Sequence, residues 1–151
     1  MANLTAQLRE LFLPEQWNIG VVPQPLHEVA LQGISKPVRW LTRPKGYEFY
    51  ADPFGDAEDD TVFCEHFSYR TNKGVIACID RDGGVTVAIE RETHASYPSI
   101  LRHDGRVYIV PEVASESRVV MIDFATGDER VLLEGVPAVD PTLLRHAGRW
   151  W

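Results

Sequence analysis

Cysteine is scarce in this 151-residue chain: only Cys64 and Cys78 occur. Two cysteines cannot build a disulfide framework or, unaided, a zinc site. Both lie in apolar stretches that read as strands, so the expectation is a pair of buried, reduced thiols. Long apolar runs are missing too. None approaches the roughly 18 residues of a membrane-spanning helix. The opening MANLTAQLRELFLPEQW lacks the basic start, apolar stretch and small-residue cleavage site of a secretory signal. This reading places the protein in the cytoplasm. No run of about five basic residues exists, and the net charge is −7, from 15 Lys+Arg against 22 Asp+Glu. That acidity disfavours nucleic acid and, for the surface as a whole, anionic membrane. Gly-rich phosphate loops, Cys/His metal spacings and a Gly-x-Ser-x-Gly elbow are absent, so no cofactor and no metal is expected.

What is present is an ordinary folding composition, 44% hydrophobic and 10% aromatic, which argues against disorder. It also contains a repeat. Tyr50-Ala-Asp-Pro-Phe54, Ser96-Tyr-Pro-Ser-Ile100 and Val139-Asp-Pro-Thr-Leu143 recur with their prolines 45 and 43 residues apart. The second and third copies align without a gap over eleven positions. Pro98-Ser-Ile-Leu-Arg-His-Asp-Gly-Arg-Val-Tyr108 matches Pro141-Thr-Leu-Leu-Arg-His-Ala-Gly-Arg-Trp-Trp151. Each unit divides into short strands at turn signals. Unit one gives 50–54, 61–67, 73–80 and 85–90. Unit two gives 99–103, 106–112, 118–124 and 129–133. Gly- and Asp-Gly-containing turns favour hairpins. Four antiparallel strands per 40–50 residues is the pattern of a propeller blade. Gly74–Ile79 is almost wholly apolar, as a strand packed on both faces requires. A two-layer sandwich would also give short strands, but it leaves the recurrence unexplained.

The fold expected is therefore all-β: about two and a half blades of four-stranded antiparallel sheet in residues 50–151, an incomplete β-propeller. Residues 1–49 form a separate lead-in, with a short helix over Leu4–Leu13 ended by Pro14, a strand over Trp17–Val22 that could complete a last blade, and extended chain around Pro23, Pro25, Pro37 and Pro44. The last residues fall in the second strand of unit three. The chain so reads as the N-terminal part of a larger propeller or as a truncated product, with self-association through the open blade face as the remedy for an uncovered sheet.

The repeat also selects the candidate site residues. Innermost propeller strands converge on one mouth, and Asp52, Tyr97 and Asp140 hold equivalent positions there. Two carboxylates from different blades are equipment for glycoside chemistry: one acts as base, the other orients substrate or tunes its neighbour. An Asp before Pro can instead cap its own turn. Glu65 and Glu112 both end the second strand of their units after apolar runs. A carboxylate there is costly unless paired or facing a cavity, and the alternative is an ion pair with Lys73 or Arg118. His94, just before the Ser-Tyr-Pro stretch, can enter the same pocket or be purely structural. His103 and His146 belong to the Arg-His-x-Gly-Arg turns.

Taken together, Tyr50-Ala-Asp-Pro-Phe54, Phe63-Cys-Glu65, Lys73-Gly-Val-Ile-Ala77, His94-Ala-Ser-Tyr-Pro98, Ile109-Val-Pro-Glu112 and Val139-Asp-Pro-Thr-Leu143 followed by Gly148-Arg-Trp-Trp151 resemble the N-terminal domain of glucosamine inositolphosphorylceramide transferases and its bacterial relatives. Ala95 stands where that family usually has leucine. The domain is in turn similar to the five-bladed propellers of the arabinanase, levansucrase and invertase group. The resemblance implies a five-bladed ring with Asp52 at the general-base position and Asp140 at the position that tunes pKa. The matching general acid would be a blade-four Glu, beyond Trp151. The leading reading is a carbohydrate-recognising module tied to glycan or glycolipid synthesis; its axial carboxylates, with Glu65, His94, Tyr97 and Glu112 as the binding residues, suit the hydroxyls of a sugar or glycolipid head group. The competing readings are a glycoside hydrolase or transglycosylase in full-length form, and a non-catalytic scaffold or remnant.

Overall fold

The computed structural model describes residues 15–56 and 58–151; the helix expected over Leu4–Leu13 lies outside the described residues. From Glu48 onward the chain is all-β. Strands β3 (Glu48–Asp56), β4 (Thr61–Ser68), β5 (Lys73–Ile79) and β6 (Val85–Ile89) form one four-stranded sheet in chain order, each antiparallel to the next. Strands β7 (Ser96–His103), β8 (Arg106–Glu112), β9 (Arg118–Asp123) and β10 (Glu129–Glu134) form a second sheet of the same topology. A third unit begins with the hairpin of β11 (Arg145–His146) and β12 (Arg149–Trp150).

The turns follow from residue chemistry. The β7–β8 and β11–β12 hairpins each close on two residues of positive φ: Asp104 (+49°) with Gly105 (+73°), and Ala147 (+49°) with Gly148 (+76°). That backbone matches the twist of the flanking strands. The aligned Arg-His-x-Gly-Arg sequence thus folds the same way in both units.

Alternation along the strands buries both faces of the first sheet. Phe63, Ile76, Cys78 and Ile89 face the second sheet and pack with Ala95, Ile109, Val113, Val120 and Ile122. Cys64, Ala77, Ile79 and Tyr50 point the other way, against Ile19 and Leu41 of the lead-in. Gly74–Ile79 is accordingly covered on both sides, as its composition requires. The two thiols are free and buried on opposite faces, and burial pushes Cys64 up to about 12.

A charged clamp closes the far side of this junction. Arg91, in the connection between the sheets, donates to Glu116 at 2.7 and 2.8 Å and to Glu129 at 2.6 Å. Thr93 and Arg118 also donate to Glu116, each at 2.6 Å. Arg91 foremost holds the Glu116 carboxyl down at about 2. A depressed carboxylate stabilises the fold above its ordinary value of 4.5 and loses that contribution as pH falls toward 2. Arg91→Ala should therefore cost about 2 kcal/mol at pH 7. The difference from the parent in urea melts should shrink steadily from pH 4.5 downward.

The lead-in differs from the sequence reading. Its strand is short, β1 (Gly20–Val21), and pairs with β2 (Arg39–Trp40) rather than with either four-stranded sheet. Gly20 is required by close approach: a Cβ there would meet Val38 Cγ1 at 2.5 Å and the Trp40 ring at 3.2 Å. Between them a helix, α1 (Leu26–Gln32), stands where extended chain was expected. Pro25 precedes its first turn and Gly33, at φ +77°, ends it, the usual asymmetry of helix ends. Among the described residues no helix is long and apolar enough to cross a membrane.

Candidate functional site

The three repeated motifs share one backbone feature. Asp52, Tyr97 and Asp140 all have positive φ, at +49°, +44° and +50°. Left-handed backbone at a non-glycine residue costs energy and persists only where the surroundings impose it. In the first two units the cause is a β-bulge. The β3–β4 register shifts between Ala51 and Phe54, and the β7–β8 register shifts between Ser96 and Ser99. Asp52-Pro53 stands opposite the single residue Cys64, and Tyr97-Pro98 opposite Pro111, one extra residue in each case, and a bulge re-aims the side chain it carries. The partners match as well: Glu65 lies opposite Ala51, and Glu112 opposite Ser96.

These equivalent residues meet across the units. Glu112 Oε2 accepts the Asp140 backbone N–H at 2.9 Å, joining the second sheet to the third unit. The Tyr97 ring packs edge-on against Phe54 of unit one at 5.0 Å, and its hydroxyl lies 3.2 Å from the Thr142 hydroxyl of unit three. Tyr97 therefore touches both neighbours. Glu65 is buried, 7% exposed. His94 Nδ1 accepts the Gly74 N–H at 2.9 Å. In the neutral ring the proton then sits on Nε2, which lies 3.6 Å from Glu65 Oε1. Gly74 leaves room for this: a Cβ there would sit 2.5 Å from Glu65 Oε1 and 2.7 Å from the Ala95 carbonyl.

Electrostatics couples the group. Burial pushes Glu65 up to about 7, and the charges of Asp52 and Glu112 add to the rise. Asp52 is also raised, first by burial and then by Asp140, while the Tyr97 N–H and His94 draw it down. The ion pairs weighed for the glutamates do not form. Lys73 pairs with Glu90 and donates to the Arg91 carbonyl, and Arg118 pairs with Glu116 and Glu129. The arrangement sets two carboxyl groups whose proton affinity is raised, Glu65 and Asp52, beside an imidazole. Among the described residues no cluster has the make-up of a metal centre.

A cleft of about 350 Å³ opens at Asp52 and Glu65, walled by Trp17, Asn18, Ile19, Phe49 and Tyr50. Trp17 and Asn18 were not among the residues read from the sequence as site residues. Their only signal is proximity brought about by packing of the lead-in on the first sheet, which no local pattern encodes. A larger groove of about 610 Å³ lies elsewhere, between the second sheet and the β11–β12 hairpin, lined by Leu101, Val119, Met121, Leu133, Trp150 and Trp151 among others. Its lining is mostly apolar and includes none of the carboxylates described above.

No family model matches the chain, and no solved structure matches it. Among curated proteins it is similar to glucosamine inositolphosphorylceramide transferase 1 of Arabidopsis thaliana, at 32% identity over 116 residues. The matched stretch is 68% of this chain and 15% of the transferase, so the chain spans only a small part of that relative. The similarity is distant and supports a relationship to the family that the sequence motifs resemble.

Proposed function

We propose that this chain is a carbohydrate-recognising part of a β-propeller that serves glycan or glycolipid synthesis. The observation that carries the reading is the convergence of Asp52, Glu65, His94, Tyr97, Glu112 and Asp140 from successive units, beside a cleft walled by Trp17. Carboxylates and imidazole accept and donate hydrogen bonds to hydroxyls, while an indole face covers a sugar ring. The repeated sheets and their shared bulge support a radial arrangement, five-bladed by resemblance, in which the groove beside Trp150 and Trp151 is an open blade face suited to self-association. The relative's name, which concerns a glycolipid transferase, supports a glycan head group as ligand.

Titration with a panel of neutral oligosaccharides, followed by backbone amide shifts, tests the reading. Binding should perturb Tyr97 and Glu65. Asp52→Asn and Trp17→Ala should each weaken it about tenfold or more, the worth of one good contact, with the fold intact. No binding across the panel, or affinity indifferent to both substitutions, would reject it.

A second reading, glycoside cleavage or transfer in a longer form, is favoured by one observation. Glu65 is raised to about 7 beside a second carboxylate, Asp52, and such pairs divide acid and base roles. In that reading Asp52 is the base that activates a water or sugar hydroxyl. Asp52→Asn would then abolish turnover of an aryl glycoside.

A further inference from the structure

The overall charge of −7 hides a local reversal. Residues 20–47 contain Lys36, Arg39, Arg43 and Lys45 against a single carboxylate, Glu28 in the first turn of α1, and from residue 29 to 47 there is no Asp or Glu. Elsewhere Lys73, Arg81, Arg91, Arg102, Arg106 and Arg118 sit in ion pairs, and of the described basic side chains without one, Arg70, Arg130, Arg145 and Arg149, no more than two share a stretch free of carboxylates. Among the described residues no carboxylate pairs with the four cations of the lead-in, and Arg43 donates only to the neutral Gln16 amide.

The same stretch exposes large apolar side chains. Leu26 is 82% exposed, Leu31 81%, Trp40 64% and Ile34 62%, and α1 buries no residue at all. Scattered exposed leucines are common, but a run of them within fifteen residues marks an interaction surface. The loop that carries them is held in place. Gln24 donates to the Gly33 carbonyl and accepts the Ser35 N–H, and the β1–β2 pair closes its base.

We propose that the excursion from β1 to β2, with the basic chain that follows it, is a docking surface for an anionic bilayer. Charge complementarity decides the occupant. Lysine and arginine attract anionic headgroups, while leucine, isoleucine and tryptophan insert at the headgroup boundary. An apolar protein partner would not call for four unpaired cations. The proposal goes beyond the carbohydrate reading and does not depend on it.

The test is co-sedimentation of the full chain with vesicles of phosphatidylcholine alone and of phosphatidylcholine with phosphatidylserine. Binding should require phosphatidylserine and weaken as salt is raised. Each cation removed should cost about fivefold, so that replacing Lys36, Arg39, Arg43 and Lys45 together by Gln costs at least about a hundredfold. Leu26→Ser with Leu31→Ser should lower binding about tenfold or more. Thermal melting should not change, since neither leucine is buried. Absence of binding to the mixed vesicles would overturn the proposal. So would Gln variants that bind vesicles like the parent but turn a sedimenting dimer into a monomer, because the surface would then serve a second copy of the chain.

Discussion

Replacing Glu65 by Gln should stabilise the folded chain at pH 8 and leave it unchanged near pH 4. The carboxyl is ordinary in the unfolded chain, near 4.5, and rises to about 7 in the folded one because burial removes its water. Between those values the folded state holds a proton that the unfolded state has lost. Stability must then fall as pH rises from 4.5 to about 7, and stay lower above it. Glutamine copies the protonated acid and removes the slope. Solvent at the cleft mouth screens part of the effect, leaving about 2 kcal/mol at pH 8, or roughly 5 °C in melting temperature for a chain of this length. Melting curves from pH 4 to pH 8 for both proteins give the answer directly. Parallel curves would mean that Glu65 is ionised and well solvated, and the cleft would lose its proton donor.

Phe63→Ala should have the larger effect on stability, a loss of about 3–5 kcal/mol, or roughly 10 °C. Phe63 is 1% exposed and is the largest fully buried side chain in the core between the two sheets. Its ring meets that of Phe124, just past β9 of the second sheet, edge-on at 4.9 Å. Removing it leaves a void that Ile76, Ile109, Val120 and Ile122 cannot fill without moving both sheets. Because the carboxylates are positioned by that same junction, the substitution should also lower the titration point of Glu65. A loss below about 1 kcal/mol would show that the sheets do not share this core.

The sheets were legible in the sequence because turn chemistry and alternation are local. Asp104-Gly105 and Ala147-Gly148 mark hairpins, and the apolar run Gly74–Ile79 signals burial on both faces. The strand edges were less so. Strand β7 starts at Ser96, not Ser99, because the bulge at Tyr97-Pro98 keeps the chain in the ladder past a proline. Helix α1 was masked by the prolines around it, although Pro25 before and Gly33 after are helix boundary signals. The candidate site was legible through the repeat: equal sequence positions imply equal places in each unit, which put Asp52, Tyr97 and Asp140 on one list. Trp17 and Asn18 lie outside the repeat and reach the cleft only through the packing of Ile19 and Leu41 on the first sheet.

The convergence of acidic side chains from separate units is tested most directly by carbon-detected titration of the Glu65 carboxyl in the parent chain and in Glu112→Gln. Glutamine keeps an oxygen to accept the Asp140 N–H, so the backbone contact survives while the charge is removed. Glu112 lies in the second sheet and Glu65 in the first, and only proximity across the units can connect them. The titration point of Glu65 should drop from about 7 in the variant. An unmoved titration point would place the two carboxyls apart, and the shared site would not exist.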